Sequence, residues 1–473
     1  MTITGRALAL AALGIVPVLL WPDRGTVILL AAVVVLACAV DTALAASPRK
    51  VALTRRVPAS VRLGEPARSE LTVANVAGRR LRGVVRDAWP PSVAVLPDGG
   101  GSDGGGSDGA ASVGAASSGS VVGASLATTV DTARHRVELR DGDAVRVVTP
   151  LLPTRRGDRH AGKVTVRTLG PLGLAGRQAS LDVPARLRVL PEFASRRHLP
   201  SRLARLREMD GRSAVKVRGE GTEFDSLREY VVGDDVRSID WRATARRGDV
   251  VVRTWRPERD RRVLIVLDTG RTSATRIATS SGGRPGTDAP RLDASIEATL
   301  LLAALADRAG DRVQVLAFDR ALGARVAGAS GARLLPELAE ALAGVEPRLL
   351  ETDWPGLVGQ VRAHVPQRAL VVLLTALDPA AVETGLLTVV DQLVGTHQVV
   401  VAGVADAEVA ALRAGRGPAE VYDAAAAARG DLERAAVAGV LRRHGAEVIE
   451  ELPDALPPAL ADTYLALKAA GRL

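Results

Sequence analysis

The spacing of apolar and polar positions changes three times along the chain, and each change predicts a different kind of structure. Residues 7–21 and 27–46 are near-continuous apolar runs separated by Trp21-Pro22-Asp23-Arg24-Gly25, which predicts a helical hairpin. The second run has the roughly 20 residues that a bilayer span needs, with Asp41 near its end. The first is shorter and contains Pro17, so thinning of the bilayer or snorkelling flanks would have to complete it. Residues 1–48 are therefore read as two transmembrane helices. A cleaved signal peptide is the competing reading, since Arg6 precedes the first run and Ala43-Leu44-Ala45 resembles a cleavage site. An apolar stretch of about 40 residues with an internal turn is longer than a normal hydrophobic region of about 7 to 15. Arg49, Lys50, Arg55, Arg56 and Arg62 follow the second run, whereas the turn holds one Asp and one Arg. The positive-inside bias then places the bulk of the chain on the cytoplasmic side of an inner or plasma membrane. Cys38, inside the second run, is expected to be a small hydrophobe facing lipid.

From residue 49 to 192 the pattern becomes short β-branched runs bounded by turn residues, at 51–53, 69–73, 81–87, 135–139, 144–151, 163–168 and 187–190. Val164 and Val166 alternate with Lys163, Thr165 and Arg167, as in a half-buried strand. A small antiparallel β-sandwich is predicted. Within it, the Gly/Ser/Asp-rich stretch 97–129 cannot bury enough apolar surface to offset its ordering entropy, and it is read as a disordered loop. Its repeats lack the nonapeptide period and large aliphatic positions of calcium-binding glycine repeats.

From residue 263 to 473 strands and helices alternate. Strands are predicted at 263–267, 312–318, 369–374, 398–404 and 447–452, and helices at 292–309, 333–343, 354–364, 380–394, 419–443 and 458–470. Apolar runs such as Ala369-Leu-Val-Val-Leu-Leu374 indicate a doubly wound parallel sheet covered on both faces, in which ligands sit beyond the carboxyl ends of the strands. The Gly- and Pro-rich insertion 280–290 is placed beside that edge as a contact loop.

Composition narrows the classes of function. Hydrophobic residues are 47% of the 473 and charged residues 24%, the balance of a folded, multidomain chain. One cysteine and six histidines leave no disulfide framework and no zinc-finger spacing. Net charge is +9 and is carried by Arg, since the only lysines are Lys50, Lys163, Lys216 and Lys468; an anionic partner would be favoured. Aromatic residues are 2%, too few for the stacking platforms of single-stranded nucleic-acid binders, so nucleic acid is excluded as a partner.

Between the two folded regions lies a connector, 193–262. Its first part carries Leu199, Leu203 and Leu206 among arginines and predicts an amphipathic helix over 193–210. Between Arg196 and Arg262 there are eighteen basic and twelve acidic residues, so the segment holds most of the net charge. Gly233-Asp234-Asp235 signals a turn, and Asp240-Trp241 followed by residues 243–246 reads as the start of a short helix before a strand at 250–253. Arg228, Arg237 and Arg246 offer planar forks for the carboxylates of Asp234, Asp235 and Asp240. These charges form either a structural clamp or a set of catalytic or metal-binding carboxylates; no His, Cys or Lys nucleophile accompanies them in the stretch.

Arg228, Tyr230, Gly233, Asp234, Asp235, Arg237, Ile239, Asp240, Trp241, Ala245 and Arg246 resemble, position by position, the signature of the bacterial domain-of-unknown-function family number fifty-eight. There the motif precedes the first strand of a von Willebrand factor A-like domain. The order of hairpin, β-rich unit and α/β unit is similar to that of such proteins. The resemblance implies membrane proteins encoded beside MoxR-type AAA ATPases and transglutaminase-like proteins, with no established reaction.

It also implies a place for a metal-ion-dependent adhesion site, built from Asp-x-Ser-x-Ser, a distant Thr and a distant Asp. Here Asp268, Gly270 and Thr272 stand at the first motif, with Gly in place of the first Ser, and Thr352 fits the distant Thr. Thr375-Ala376, with Asp378 two residues on, departs from the final Thr-Asp. The expected cofactor is none, or Mg2+ held partly by Asp268, Thr272, Thr352 and waters.

The function expected on these grounds is a membrane-anchored, non-catalytic scaffold or adaptor that binds a protein partner through its A-type domain, with a MoxR-type AAA ATPase as the implied partner. Two alternatives stay open: an enzyme using Asp234, Asp235 and Asp240, and an extracytoplasmic cell-envelope adhesion protein.

Overall fold

The computed structural model describes residues 2–21, 23–96, 132–214, 223–256, 261–279, 287–379, 385–418 and 420–473. The expected disordered loop 97–129 lies outside the described residues, as does the part of the insertion from 280 to 286. The chain divides into two compact units, Met1–Leu190 and Pro191–Leu473.

Unit one opens with a two-residue strand, β1 (Thr2–Ile3), then helices α1 (Gly5–Leu13) and α2 (Ile15–Leu20). The break at Gly14 falls just ahead of Pro17, whose missing N–H lies in the first turn of α2, where no intrahelical partner is needed. Asp23 caps α3 (Arg24–Leu44) by accepting the Gly25 N–H at 2.9 Å. At 1.5 Å per residue α3 is about 31 Å long, the thickness of a bilayer's hydrocarbon core. Ile28, Leu29, Val35 and Leu36 along it are exposed, as in a helix that meets lipid. Among the described residues it is the one helix long and apolar enough to cross a membrane; 5–20 is shorter.

The final turns of α3 depart from that pattern. Cys38, expected to face lipid, is instead buried against Ala7 and Ala175. Asp41 is fully buried and accepts the backbone N–H groups of Leu172, Leu174 and Ala175 at 2.8, 2.7 and 2.9 Å. A carboxylate so held is a fastening between the helix end and the β-domain, with its charge satisfied by three donors.

Strands β2 (Val51–Arg56), β4 (Ala67–Asn75), β8 (Ala144–Pro153) and β6 (Val93–Val95) form a four-stranded antiparallel sheet in that order. A second antiparallel sheet runs β1, β11 (Ala175–Leu181), β10 (Val164–Leu169), β5 (Leu81–Ala88), β7 (Thr132–Leu139). The inward residues Leu71, Val73 and Val147 of the first meet Leu81, Val85, Val164 and Val166 of the second in one core. A small third sheet joins β3 (Ser60–Arg62), β12 (Arg186–Leu190) and β9 (Gly157–His160). Inside the unit Asp87 accepts Arg55 Nη2 at 2.5 Å, Ser69 Oγ at 3.0 Å and Trp89 Nε1 at 3.3 Å, so the carboxylate of a buried ion pair has three donors.

Unit two begins with α4 (Leu199–Ala214), whose Leu206 is buried with Leu199 and Leu203 beside it. Next comes the antiparallel pair β13 (Glu223–Glu229) and β14 (Val251–Arg256), with the short helix α5 (Trp241–Arg247) in the connection between them. The main sheet is six-stranded, in the order β19 (Leu322–Ala327), β18 (Arg312–Phe318), β15 (Arg262–Asp268), β20 (Leu370–Leu374), β21 (Gln398–Val404), β22 (Glu447–Glu451). All neighbours are parallel except the edge strand β19, which is antiparallel to β18. Period-2 alternation divides β15 between two cores. Val263, Ile265 and Leu267 pack with α6 (Arg291–Arg308), α7 (Leu334–Ala343) and α12 (Leu456–Ala469). Leu264 and Val266 pack with α8 (Trp354–His364), α9 (Leu387–Val394) and α11 (Glu420–Arg443). Burial on both faces is why these strands read as unbroken apolar runs. Residues 287–290, expected within a loop, form strand β17 (Thr287–Pro290), which pairs with β16 (Arg276–Thr279). A further short helix, α10 (Ala407–Leu412), was not expected.

Candidate functional site

The carboxyl edge of the six-stranded sheet collects the residues singled out for an adhesion-type site. Asp268 ends β15 and is 5% exposed. Its Oδ1 accepts the Gly270 N–H at 2.8 Å and Thr352 Oγ1 at 2.5 Å. Its Oδ2 accepts Thr375 Oγ1 at 2.7 Å and Thr272 Oγ1 at 3.3 Å. The structure thus brings Asp268, Thr272 and Thr352 together, and it adds Thr375 from the end of β20. Thr375 stands in the motif that departs from the expected pattern; its position just past an apolar strand, at the ligand-binding edge, was the available signal.

The cluster is closed on itself by hydrogen bonds to Asp268. Three hydroxyls and one N–H already point at a single carboxylate, and a cation in their place would have to turn every hydroxyl proton away. A Cβ at Gly270 would lie 2.3 Å from Thr352 Oγ1, so the space a serine would need is filled. Asp378 lies 3.9 Å from Arg291 across an ion pair, and no group of three or more His, Cys, Asp or Glu among the described residues could hold a metal.

Around this closed cluster the edge is charged and partly apolar. Asp319, at the end of β18, is buried, which alone would push its carboxyl up. The N–H groups of Arg320 and Ala321, with Thr269 Oγ1 and Arg348, outweigh that and hold it below the usual range. Arg271 pairs with Glu351 at 2.6 Å. Between Arg348 and Glu351 stand Leu349, 78% exposed, and Leu350, also exposed.

The second group is the signature connection between β13 and β14. Arg228 and Asp234 form a bidentate pair, and Asp234 also accepts the Val231 N–H at 2.9 Å. Those bonds, Arg228 first, hold the Asp234 carboxyl below its usual range. Gly233 has φ +111°, a region that an L side chain rarely enters. Asp235 accepts the Arg237 N–H at 3.0 Å and starts a single 3-10 turn. Asp240 is the N-cap of α5, accepting the Arg242 and Ala243 N–H groups at 3.0 Å each and Arg253 Nε at 2.8 Å. Its carboxyl is lowered by the Ala243 N–H and then by Arg253.

The expected partners of these carboxylates are corrected in two cases. Arg253, thirteen residues on and one strand away, takes Asp240; Arg237 and Arg246 are exposed and make no ion pair among the described residues. Ile239 bridges to Val252, Tyr230 bonds through its backbone N–H to Val250 at 2.8 Å, and Ala245 is exposed on α5. Trp241, at the first position of α5, is 66% exposed.

A third group had no sequence signal, because it comes from three distant segments. Glu192 faces the acids Glu297, Asp454 and Asp293, and burial together with these charges pushes its carboxyl up to about 7. Glu297, on α6, accepts the Ser195 N–H at 2.6 Å and is itself shifted upward, chiefly by burial.

Arrangement and sequence together define an α/β unit preceded by an Arg-Asp clamped connection, the class to which the family comparison then gives a description. Residues 226–445 match the model of the family described as Protein of unknown function DUF58, which agrees with the resemblance carried by the signature residues. The protein of Bacillus subtilis (strain 168) described as Uncharacterized protein YeaD is 26% identical over 113 residues, which are 24% of this chain and 28% of that protein. The chain thus matches under a third of that relative's length. Among solved structures, the CARDB domain of the PF1109 protein from Pyrococcus furiosus is 10% identical and covers 30% of this chain and 87% of its own, with a TM-score of 0.17. Native alpha-2-macroglobulin from Escherichia coli, from domain MG7 to the C-terminus, is 16% identical over 31% of this chain and 17% of its own, with a TM-score of 0.20. Likenesses at that level carry no argument.

Proposed function

We propose that the protein is a membrane-anchored, non-catalytic adaptor whose C-terminal α/β unit, a von Willebrand A-like domain by the resemblance of its motifs, binds a protein partner at the carboxyl edge of its sheet. A MoxR-type AAA ATPase is the partner that the family resemblance implies. The observation that carries the reading is the exposed Leu349-Leu350 pair flanked by Arg348, Arg271 and Glu351, beside a polar cluster with no unsatisfied group on Asp268. Exposed leucine ringed by paired charges is the chemistry of a protein interface core with its polar rim.

The bonding of the signature supports a non-catalytic role. Asp234 and Asp240 have lowered pKa values and saturated partners, the opposite of a poised general acid or base. The membrane anchor is α3, with the shorter 5–20 helix as a second pass and the bulk of the chain on the cytoplasmic side, by the positive-inside distribution.

The test is affinity capture of the detergent-solubilised full-length protein from its own cells, with Mg2+ and a slowly hydrolysed ATP analogue, followed by mass spectrometry. Recovery of an AAA ATPase by the wild type and its loss with Leu349→Asp is expected. Capture of no specific partner, or equal capture by Leu349→Asp, would overturn the reading and bring the enzyme alternative forward.

A further inference from the structure

The connection between β13 and β14 exposes more apolar and cationic surface than its fold uses. Val232 is 94% exposed, and Val231, Val236 and Trp241 are exposed as well. Helix α5 reads Trp-Arg-Ala-Thr-Ala-Arg-Arg and contains no acidic residue. Arg242 and Arg246 are one turn apart, hence on one face, with Trp241 and Ala245 next to it. Arg237, Arg242, Arg246 and Arg247 are all exposed, and none has an ion-pair partner among the described residues. The carboxylates that could have neutralised them are engaged elsewhere, Asp234 by Arg228 and Asp240 by Arg253 and two backbone N–H groups. Asp235 and Asp249 are the exposed acids that remain in the connection, and the first already accepts the Arg237 N–H. Because residues 230–250 join two paired strands, all these groups lie at one end of the β13–β14 ribbon.

We propose that this end of the ribbon docks on an anionic lipid surface, with Trp241 and the three valines entering the interface and the arginines meeting lipid phosphates. Unpaired Arg forks suit phosphate oxygens. An exposed Trp with neighbouring valines on a cationic element is the composition of a membrane-interface contact. An acidic protein surface would complement the arginines but gives no reason for four large apolar groups in water at the same place. A bilayer-length helix in the same chain also keeps lipid at high effective concentration. This inference does not depend on the partner reading: it involves neither Asp268 nor Leu349.

The experiment uses full-length protein carrying Cys38→Ala and Val232→Cys, labelled at the new thiol with an environment-sensitive fluorophore. It is reconstituted in nanodiscs of phosphatidylcholine alone or mixed with phosphatidylglycerol. A blue shift and severalfold brighter emission are expected only with phosphatidylglycerol. The shift should be lost with Arg242→Glu/Arg246→Glu and reversed by salt at about 0.5 M, where screening is nearly complete. A label introduced by Tyr422→Cys, at a residue 81% exposed on α11, should not respond. Arg242→Gln/Arg246→Gln, which removes charge without reversing it, should weaken the response in proportion and guards against misfolding of the Glu variant. Identical spectra in the two kinds of nanodisc, or a phosphatidylglycerol-dependent shift that survives both pairs of substitutions, would overturn the proposal; the first is what an acidic protein partner for this surface predicts.

Discussion

Arg228 and Asp234, six residues apart, meet through two parallel bonds, Nη1 to Oδ2 at 2.7 Å and Nη2 to Oδ1 at 2.5 Å, which close the turn at Gly233. Lysine cannot reproduce that fork. In Arg228→Lys, trypsin should cut faster after Arg237 and Arg246 while the melting temperature of the whole protein stays near wild type, because the pair is partly exposed. The Asp234 carboxyl is lowered from 3.8, so the ordering it provides is present above that value and lost as pH falls through the lower native one. Equal cleavage rates in wild type and variant would show that the fork does not hold the turn.

Asp268 supplies the acceptor for three threonine hydroxyls and one N–H. Asp268→Ala leaves those donors without a partner at a buried site and should cost about 3 kcal/mol, at roughly 1 to 3 kcal/mol per orphaned group with partial rehydration. Gly270→Ser, which forces a Cβ onto Thr352 Oγ1, should cost about 1 to 3 kcal/mol through overpacking. Denaturant melts of the full chain in detergent measure both. If Mg2+ raises the stability of the wild type and not of Asp268→Ala, the cluster opens to bind the cation after all.

In the β-domain, Arg55 and Asp87 form a fully buried ion pair. Removing one partner strands a buried charge, so Arg55→Met should cost about 3 to 5 kcal/mol, whereas the double variant Arg55→Met/Asp87→Leu should recover most of that loss. A denaturation midpoint for the double variant no better than for the single one would count against the pair as the source of the effect.

Glu192 has its carboxyl pushed up to about 7 by burial and by Glu297, Asp454 and Asp293. The folded protein therefore holds a proton there that the unfolded chain releases near 4.5, so stability falls as pH rises from about 4.5 to about 7 and is flat above. Glu192→Gln should abolish that slope and stabilise the protein at pH 8 by about 1 to 2 kcal/mol, a figure discounted for the partly solvated site. Melting temperatures at pH 5 and pH 8 for both proteins decide it; parallel pH profiles would assign the slope to another group.

The orientation drawn from Arg49, Lys50, Arg55 and Arg56 can be checked at Tyr422, which is 81% exposed. With Cys38→Ala and Tyr422→Cys, a membrane-impermeant maleimide should label permeabilised cells and leave intact cells unlabelled. Labelling of intact cells would place unit two outside and restore the adhesion reading.

What the sequence by itself determined is what short-range pattern encodes. Apolar runs located β18 and β21 to the residue; β21 is buried along its whole length on both faces, and β18 is buried from Val315 to Phe318 after Arg312 and Gln314. Asp240 marked the start of α5, because a cap acts on backbone N–H groups within three residues of it. The membrane-length apolar helix and the family signature were legible for the same reason.

Tertiary structure decided the partners. Arg253 took Asp240 across a strand pair, Thr375 joined Asp268 from a neighbouring strand 107 residues away, and Asp41 caught the backbone of 172–175. The antiparallel edge strand β19 and the strand β11, which lacks a β-branched run, were also invisible, since pairing with β18 and β10 is what makes them strands. Side-chain reach is a few ångströms, so which acceptor a donor finds depends on how distant segments are brought together by burial, and no local spacing of residues records that.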